Sequence, residues 1–283
     1  YDDGTFAAGN TFGVMVNNVA PTLAISGGGS VNEGSSYTLN LSASDPGADT
    51  ITSWTINWGD SVEVVSGNPS SVTHVYADGT ANYTISATAT DEDGTHAAAN
   101  TVSVTVNNVA PTANAGGPYA TFDDTPIVLS GSATDPAGAA DPLTYKWDLD
   151  GDGIFGETGS GATRGNEVGA NVTYNPTGLP TSTQTVKLQV SDGDGGVSTV
   201  TTTVQILGQG TLLAGGVLYI VGSNSSDIVL ITHAGSTICV LATFNSNNPQ
   251  TYNASAITDI QIRMRGGNDI VLTTSNVMET MTI

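Results

Sequence analysis

The stretch Asp148-Leu-Asp-Gly-Asp-Gly-Ile-Phe-Gly-Glu157 sets three aspartates at alternate positions, which is the spacing at which successive carboxylates fall on one side of a loop. Asp148, Asp150 and Asp152 would supply hard oxygen ligands, Gly153 permits the sharp turn, and the backbone carbonyl of Ile154 falls at the seventh position of a calcium loop. Calcium takes six to eight such oxygens. A helix-loop-helix site would need a glutamate at position 12, where Gly159 stands, and the available acid is Glu157 at position 10. The expected ligands are therefore Asp148, Asp150, Asp152, Ile154 and Glu157. The alternative is a solvated Asp-Gly turn, because aspartate closes turns by bonding its own backbone.

Other acids recur at equivalent positions ninety-odd residues apart. Asp45 matches Asp135 in a Ser/Thr-Asp-Pro sequence, and Asp91 with Asp93 matches Asp192 with Asp194. Loops at the poles of a β-sandwich would bring Asp45, Asp93, Asp135 and Asp194 toward linkers whose asparagines offer carbonyl oxygens, so a calcium ion between domains is a second expectation. Turn formation is again the rival explanation. Asp227 and Asp269 are further candidates. The sequence Gly151-Asp-Gly-Ile-Phe-Gly156 matches a dinucleotide-binding pattern, but no helix follows to present an N-terminus to a phosphate. The three histidines stand apart, and no HExxH, GxSxG or P-loop sequence occurs. No catalytic set can be assembled, so the expectation is a protein that is not an enzyme.

The elements that must position these acids are written twice. Residues 1–22 are identical to residues 91–112 at 15 of 22 positions, including the shared Asn-Asn-Val-Ala-Pro-Thr. The expected organisation is a trailing hairpin of an upstream repeat over 1–19, two full units over 20–109 and 110–207, and a segment rich in Gly, Asp and Asn over 208–283. Within the units apolar residues alternate, as on half-buried strands: Tyr37, Leu39, Leu41; Trp54, Ile56, Trp58; Leu143, Tyr145, Trp147; Val186, Leu188, Val190. Helical spacing is lacking, so the fold class is all-β, with tandem sandwiches strung out by short Pro linkers.

Unit two carries PTANAGGPY, GSATDPAG, YKWDLDGDG and VSDGDGG, and unit one carries INWGDS and HVYADGTANYTISATATDEDG. In these motifs, residues 1–207 resemble the polycystic-kidney-disease (PKD) repeat, an immunoglobulin-like sandwich of bacterial surface proteins and a spacer in secreted hydrolases. Unit one departs from the family's WDFGDG, reading Ile56-Asn57-Trp58-Gly59-Asp60-Ser61. The resemblance implies a fold and an extracellular or cell-surface setting. The sequences Gly222-Ser-Asn-Ser-Ser-Asp227 and Gly266-Gly-Asn-Asp269, each followed by an apolar run, resemble degenerate calcium-binding turns of repeats-in-toxin proteins. A small β-solenoid or β-roll-like segment, or a third sandwich, is expected there.

Composition narrows the partners. Five Lys and Arg stand against 26 acidic residues, a net charge of −21, so nucleic acid and anionic membrane surfaces, which need a basic patch, are excluded. No run is long and apolar enough for membrane insertion. The sequence starts at Tyr1 without a charged and apolar leader, so any leader would lie upstream. The single Cys239, between Ile238 and Val240, excludes an internal disulfide and reads as a small buried hydrophobe. Five Asn-x-Ser/Thr triplets, at Asn40, Asn82, Asn171, Asn224 and Asn253, suit an exposed surface. The functional expectation is a structural component of a fibre, stalk, matrix or surface layer, stiffened by calcium and associating with itself or other surface proteins through open strand edges. The alternative is a set of accessory, polysaccharide-binding or adhesin modules of a larger secreted protein.

Overall fold

The structure is a computed structural model, and it describes all residues except 1–8, 10, 11, 16, 48, 275, 276, 278–280 and 283. Two compact units divide the chain: residues 1–109 with 136–141, and residues 110–135 with 142–283. Among the described residues every regular element is a strand apart from two short 3-10 turns.

The first unit packs two sheets around one core. One sheet orders β1 (Thr22–Gly27), β3 (Ser36–Ser44) and β6 (Ser71–Val75). The other orders β2 (Ser30–Asn32), β9 (Val102–Asn107), β7 (Ala81–Thr90), β4 (Ser53–Asn57) and β5 (Val62–Ser66), with β8 (Thr95–Ala97) also paired to β7. Alternation builds the core: Tyr37, Leu39 and Leu41 of β3 face inward while Thr38, Asn40 and Ser42 face out. Trp54, Ile56 and Trp58 are fully buried. Each indole N–H is satisfied, by Asn68 Oδ1 at 3.0 Å for Trp54 and Glu63 Oε2 at 3.1 Å for Trp58, so burial leaves no donor orphaned. The trailing hairpin expected over 1–19 lies largely outside the described residues. Phe12 and Val14, which are described, lie exposed and outside any strand.

The second unit begins with another sandwich. Its larger sheet orders β11 (Tyr119–Phe122), β17 (Val197–Leu207), β16 (Ser182–Ser191) and β14 (Thr144–Asp148). Two pairs complete it: β10 (Thr112–Asn114) with β13 (Ser132–Thr134), and β12 (Ile127–Ser130) with β15 (Asn171–Tyr174). Trp147, Leu188, Val190, Val204 and Ile206 fill the core, and Trp147 Nε1 donates to the Gly169 carbonyl at 3.1 Å.

Residues 208–283 have a core of their own within this unit. One sheet orders β18 (Gly210–Ala214), β19 (Val217–Val221), β23 (Asp259–Arg263) and β25 (Met281–Thr282); the other orders β22 (Gln250–Asn253), β21 (Thr237–Ala242), β20 (Ile228–Ala234) and β24 (Ile270–Thr273). Parallel pairs link successive passes of the chain. Val217 lies opposite Asp259, Ile228 opposite Ile270, and Ile260 opposite Met281. The stack meets the sandwich through the end of β23 and the loop that follows: Arg263 Nη2 bonds Asp124 at 2.8 Å, Arg265 Nη2 bonds Asp123 at 2.6 Å, and the Arg263 guanidinium lies over the Phe122 ring at 5.2 Å.

Candidate metal centre

The Asp148–Glu157 loop leaves the end of β14. Three glycines with positive φ, Gly151, Gly153 and Gly156, give it its turns. Asp150, Asp152 and Glu157 each bring one carboxylate oxygen within 4.8 Å of the others. None of the three joins an ion pair among the described residues. Asp150 accepts from Thr163 Oγ1 at 2.6 Å and from the Asp152 N–H at 3.3 Å, and Asp152 accepts from the Ile154 N–H at 2.8 Å. Glu157 Oε2 is buried without a hydrogen-bond partner. Burial raises the Glu157 pKa, and the charges of Asp152, Asp150 and Asp148 push it further in the same direction.

Asp148, expected among the ligands, has partners of its own within the chain. It is fully buried; Oδ2 pairs with Lys187 Nζ at 2.8 Å and Oδ1 accepts from the Gly151 N–H at 2.8 Å. Sequence reasoning missed both Lys187 and Glu167. Glu167, also fully buried, accepts from the Leu149 N–H at 2.7 Å and the Glu157 N–H at 3.1 Å, fastening the two ends of the loop. Its pKa is raised by burial, against the pull of those two N–H groups. One of its oxygens lies within 4.8 Å of oxygens of Asp148 and Asp150. No local spacing marks it, because the bonds span 18 and 10 residues.

A second set of acids sits at a pole of the first unit. Asp45 Oδ1 accepts from the Gly47 N–H at 2.6 Å, while its Oδ2 is buried without a hydrogen-bond partner. Asp49 and Asp93 line a cleft of about 510 Å³ together with Asn17, Asn18, Val19, Pro46 and Gly47. Burial raises the Asp49 pKa, and Asp93, Asp45, Glu92 and Asp91 add to the rise. Asp91 behaves oppositely: burial pushes it up, but the N–H groups of Asp93 and Gly94 and the His96 ring outweigh burial and hold it below the usual range.

The equivalent Asp192 closes its turn by accepting from the Asp194 and Gly196 N–H groups, and Asp194 itself is exposed. Asp135 follows β13 and is half-buried. Asp227 and Asp269 brace two stacked turns. Asp227 Oδ2 accepts from the Ser223 N–H at 2.7 Å and from Ser223 Oγ at 2.9 Å, and Asp269 Oδ1 accepts from the Asp227 N–H at 2.9 Å. His74 stacks on Trp58 with centroids 4.8 Å apart and pairs with Asp60 at 2.9 Å, and His96 pairs with Asp91 at 3.1 Å. Cys239 differs from its expected burial. The alternation that buries Ile238 and Val240 turns it to the other face of β21, where it is half-buried.

Residues 18–106 match the model of the PKD domain, and residues 107–205 match that of a bacterial Ig domain. The chain carries a PKD domain and a bacterial Ig domain in tandem. The Ig domain, read from its motifs as a further PKD-like repeat, holds the Asp148–Glu157 loop, and the PKD domain holds the acidic pole. Neither match extends past residue 205. A comparison with curated proteins returns no match.

Among solved structures, the fibronectin(III)-like modules of Clostridium thermocellum CbhA are 14% identical, covering 65% of this chain and 94% of theirs, with a TM-score of 0.26. The three N-terminal domains of the bacteriophage RB49 highly immunogenic outer capsid protein are 12% identical, covering 83% of this chain and 71% of theirs, with a TM-score of 0.31. The PKD domain of an M14-like peptidase from Thermoplasmatales archaeon SCGC AB-540-F20 is 27% identical over 32% of this chain and 99% of its own, with a TM-score of 0.28. With TM-scores of this size, none of them bears on what this chain binds or does. No helix among the described residues is long and apolar enough to cross a membrane.

Proposed function

We propose that the chain is a structural, non-catalytic part of an extracellular or cell-surface assembly, a stalk, fibre, matrix or surface layer, and that calcium stiffens it. The observation that carries this reading is the convergence of Asp150, Asp152 and Glu157 with a buried Glu157 oxygen that no donor meets. Three carboxylates so placed repel one another unless a cation joins them. The chain has few cations to give, five Lys and Arg against 26 acidic residues, and none of them pairs with these three groups among the described residues. A divalent ion accepting oxygens from these three groups supplies the missing charge. Asp150 and Asp152, spaced by one residue on a glycine-rich loop, suit the adaptable oxygen geometry of calcium better than the strict octahedron of magnesium.

The Asp49 and Asp93 cleft of the PKD domain, lined also by Asn17 and Asn18 and with Asp45 nearby through its turn to Gly47, supports a weaker site of the same kind. Tandem PKD and bacterial Ig domains favour a surface setting, where calcium is abundant. The edges at β5 and β24, unpaired among the described residues, offer places for further strands to add. The rival reading, modules that bind polysaccharide, needs aromatic rings in contact with solvent, and the three tryptophans are fully buried instead.

The test is calcium titration calorimetry on the whole chain with thermal melting in calcium and after chelation. Saturable binding with a raised melting temperature, both lost in Asp152→Asn and Glu157→Gln, supports the reading. A melting temperature indifferent to calcium, with no heat of binding, removes calcium from it and leaves the loop as a turn.

A further inference from the structure

Lys187 and Asp148 form the only lysine–carboxylate ion pair among the described residues. Asp148, at the end of β14, is fully buried, and Lys187 stands opposite it on β16 with its side chain 36% exposed. Nζ lies 2.8 Å from Oδ2, while Oδ1 accepts from the Gly151 N–H at 2.8 Å. An oxygen of Glu167, itself fully buried, lies within 4.8 Å of an oxygen of Asp148. An amine is thus held against a carboxyl group whose other oxygen meets a backbone donor, with a second carboxyl beside both. Those are the parts of an acyl condensation, brought together by ladder register.

We propose that Lys187 and Asp148 join in an isopeptide bond that the chain forms on itself, with Glu167 carrying the proton. The step balances without a cofactor. Within the pair one proton passes from Nζ to Oδ2, giving a neutral amine and acid, the forms that burial favours. The Nζ lone pair attacks Cγ, and the Gly151 N–H steadies the negative charge that gathers on Oδ1. Glu167 takes a proton from Nζ and returns it to Oδ2. The Cγ–Nζ bond forms, the Cγ–Oδ2 bond breaks, and Oδ2 leaves as water on the exposed side of the lysine. Nothing is oxidised or reduced, and two charges give way to one neutral amide. The bond ties positions 39 residues apart on neighbouring strands, in a chain whose single cysteine rules out an internal disulfide. It draws on none of Asp150, Asp152 and Glu157, so it stands or falls apart from calcium.

The intact mass of the whole purified chain, measured after denaturation, tests the proposal. The expected mass is one water below that of the sequence. Trypsin should leave the chain uncut after Lys187, and fragmentation should show a branched product joining residues 147–164 to residues 165–263. Lys187→Arg and Asp148→Ala should each restore the full mass. Glu167→Gln should slow linkage by about a hundredfold in newly synthesised chain that folds by circular dichroism, and linkage at the parent rate would remove Glu167 from the step. The parent chain decides the proposal even where a variant fails to fold. A full sequence mass overturns it, as does a missing water that maps to an Asp-Gly succinimide, which mild base restores and an amide survives.

Discussion

Lys187 and Asp148 lie directly opposite each other in the β14–β16 ladder, their charged atoms 2.8 Å apart and the aspartate fully buried. The pair gives Asp148 its own counter-charge. It thereby divides the aspartates of one short motif into a neutralised member, Asp148, and two, Asp150 and Asp152, that face Glu157 without one. Removing the lysine should transfer that need to the metal. In Lys187→Met the isolated buried charge should cost about 2 kcal/mol in chelator, after discounting for the partly exposed lysine. Calcium should recover part of that loss. Urea unfolding with and without calcium measures both, and equal losses in the two conditions would separate the pair from the metal.

Glu167 carries no expected role in metal binding beyond its bracing of the loop. Glu167→Ala leaves the Leu149 and Glu157 N–H groups buried without acceptors and should destabilise the second unit by about 3 kcal/mol. Glu167→Gln, which keeps one acceptor oxygen, should lose roughly half as much. Hydrogen exchange at those two amides should speed up in the alanine variant, and protection that stayed intact would refute the role.

The raised Glu157 pKa fixes the sign of the pH dependence. An acid whose folded pKa lies above its unfolded value binds its proton more tightly when folded, so without metal its contribution to stability falls as pH rises through the window between the two values. Calcium needs the carboxylate and competes with that proton. The calcium-induced rise in melting temperature should therefore shrink as pH is lowered through the raised folded pKa, starting above the usual glutamate range, and Glu157→Gln should flatten the curve. Asp91 acts in the other direction. Its lowered pKa gives stability that is present above the unfolded value and lost as pH falls through the folded one, so Asp91→Asn should reduce acid sensitivity in the first unit.

The tryptophans offer a check on the polysaccharide alternative. With Trp54, Trp58 and Trp147 at 0% exposure, iodide should barely quench their fluorescence in the folded chain, and soluble polysaccharides should leave the spectrum unchanged. Strong iodide quenching in the native state would contradict the burial and reopen that alternative.

Much of this was legible in the residues. Alternation in Tyr37, Leu39 and Leu41, or in Val186, Leu188 and Val190, fixes strands because one face of each must leave water. Glycine-rich turns mark their ends. The spacing of the aspartates marked the loop, and Asp150 and Asp152 do converge there with Glu157. What spacing could not announce is which carboxylate meets a lysine: Lys187 lies 39 residues from Asp148 and reaches it only through ladder register. Glu167 was hidden for the same reason, since its partners are backbone groups and those carry no sequence signal. Cys239 was misread because flanking apolar residues suggest burial, whereas in a strand they argue for the opposite face.

The parallel pairs near the C-terminus, Val217 with Asp259 and Ile228 with Ile270 at one spacing and Ile260 with Met281 at half of it, make this segment a molecular ruler. Across the parallel ladders Ile220 lies beside Ile262 and Val229 beside Val271, so like residues meet within the core. Duplication or loss of a whole pass would lengthen or shorten the stack while every face keeps its chemistry. A one-residue slip would turn the core outward. Length is therefore the tolerant variable in this segment and phase the intolerant one.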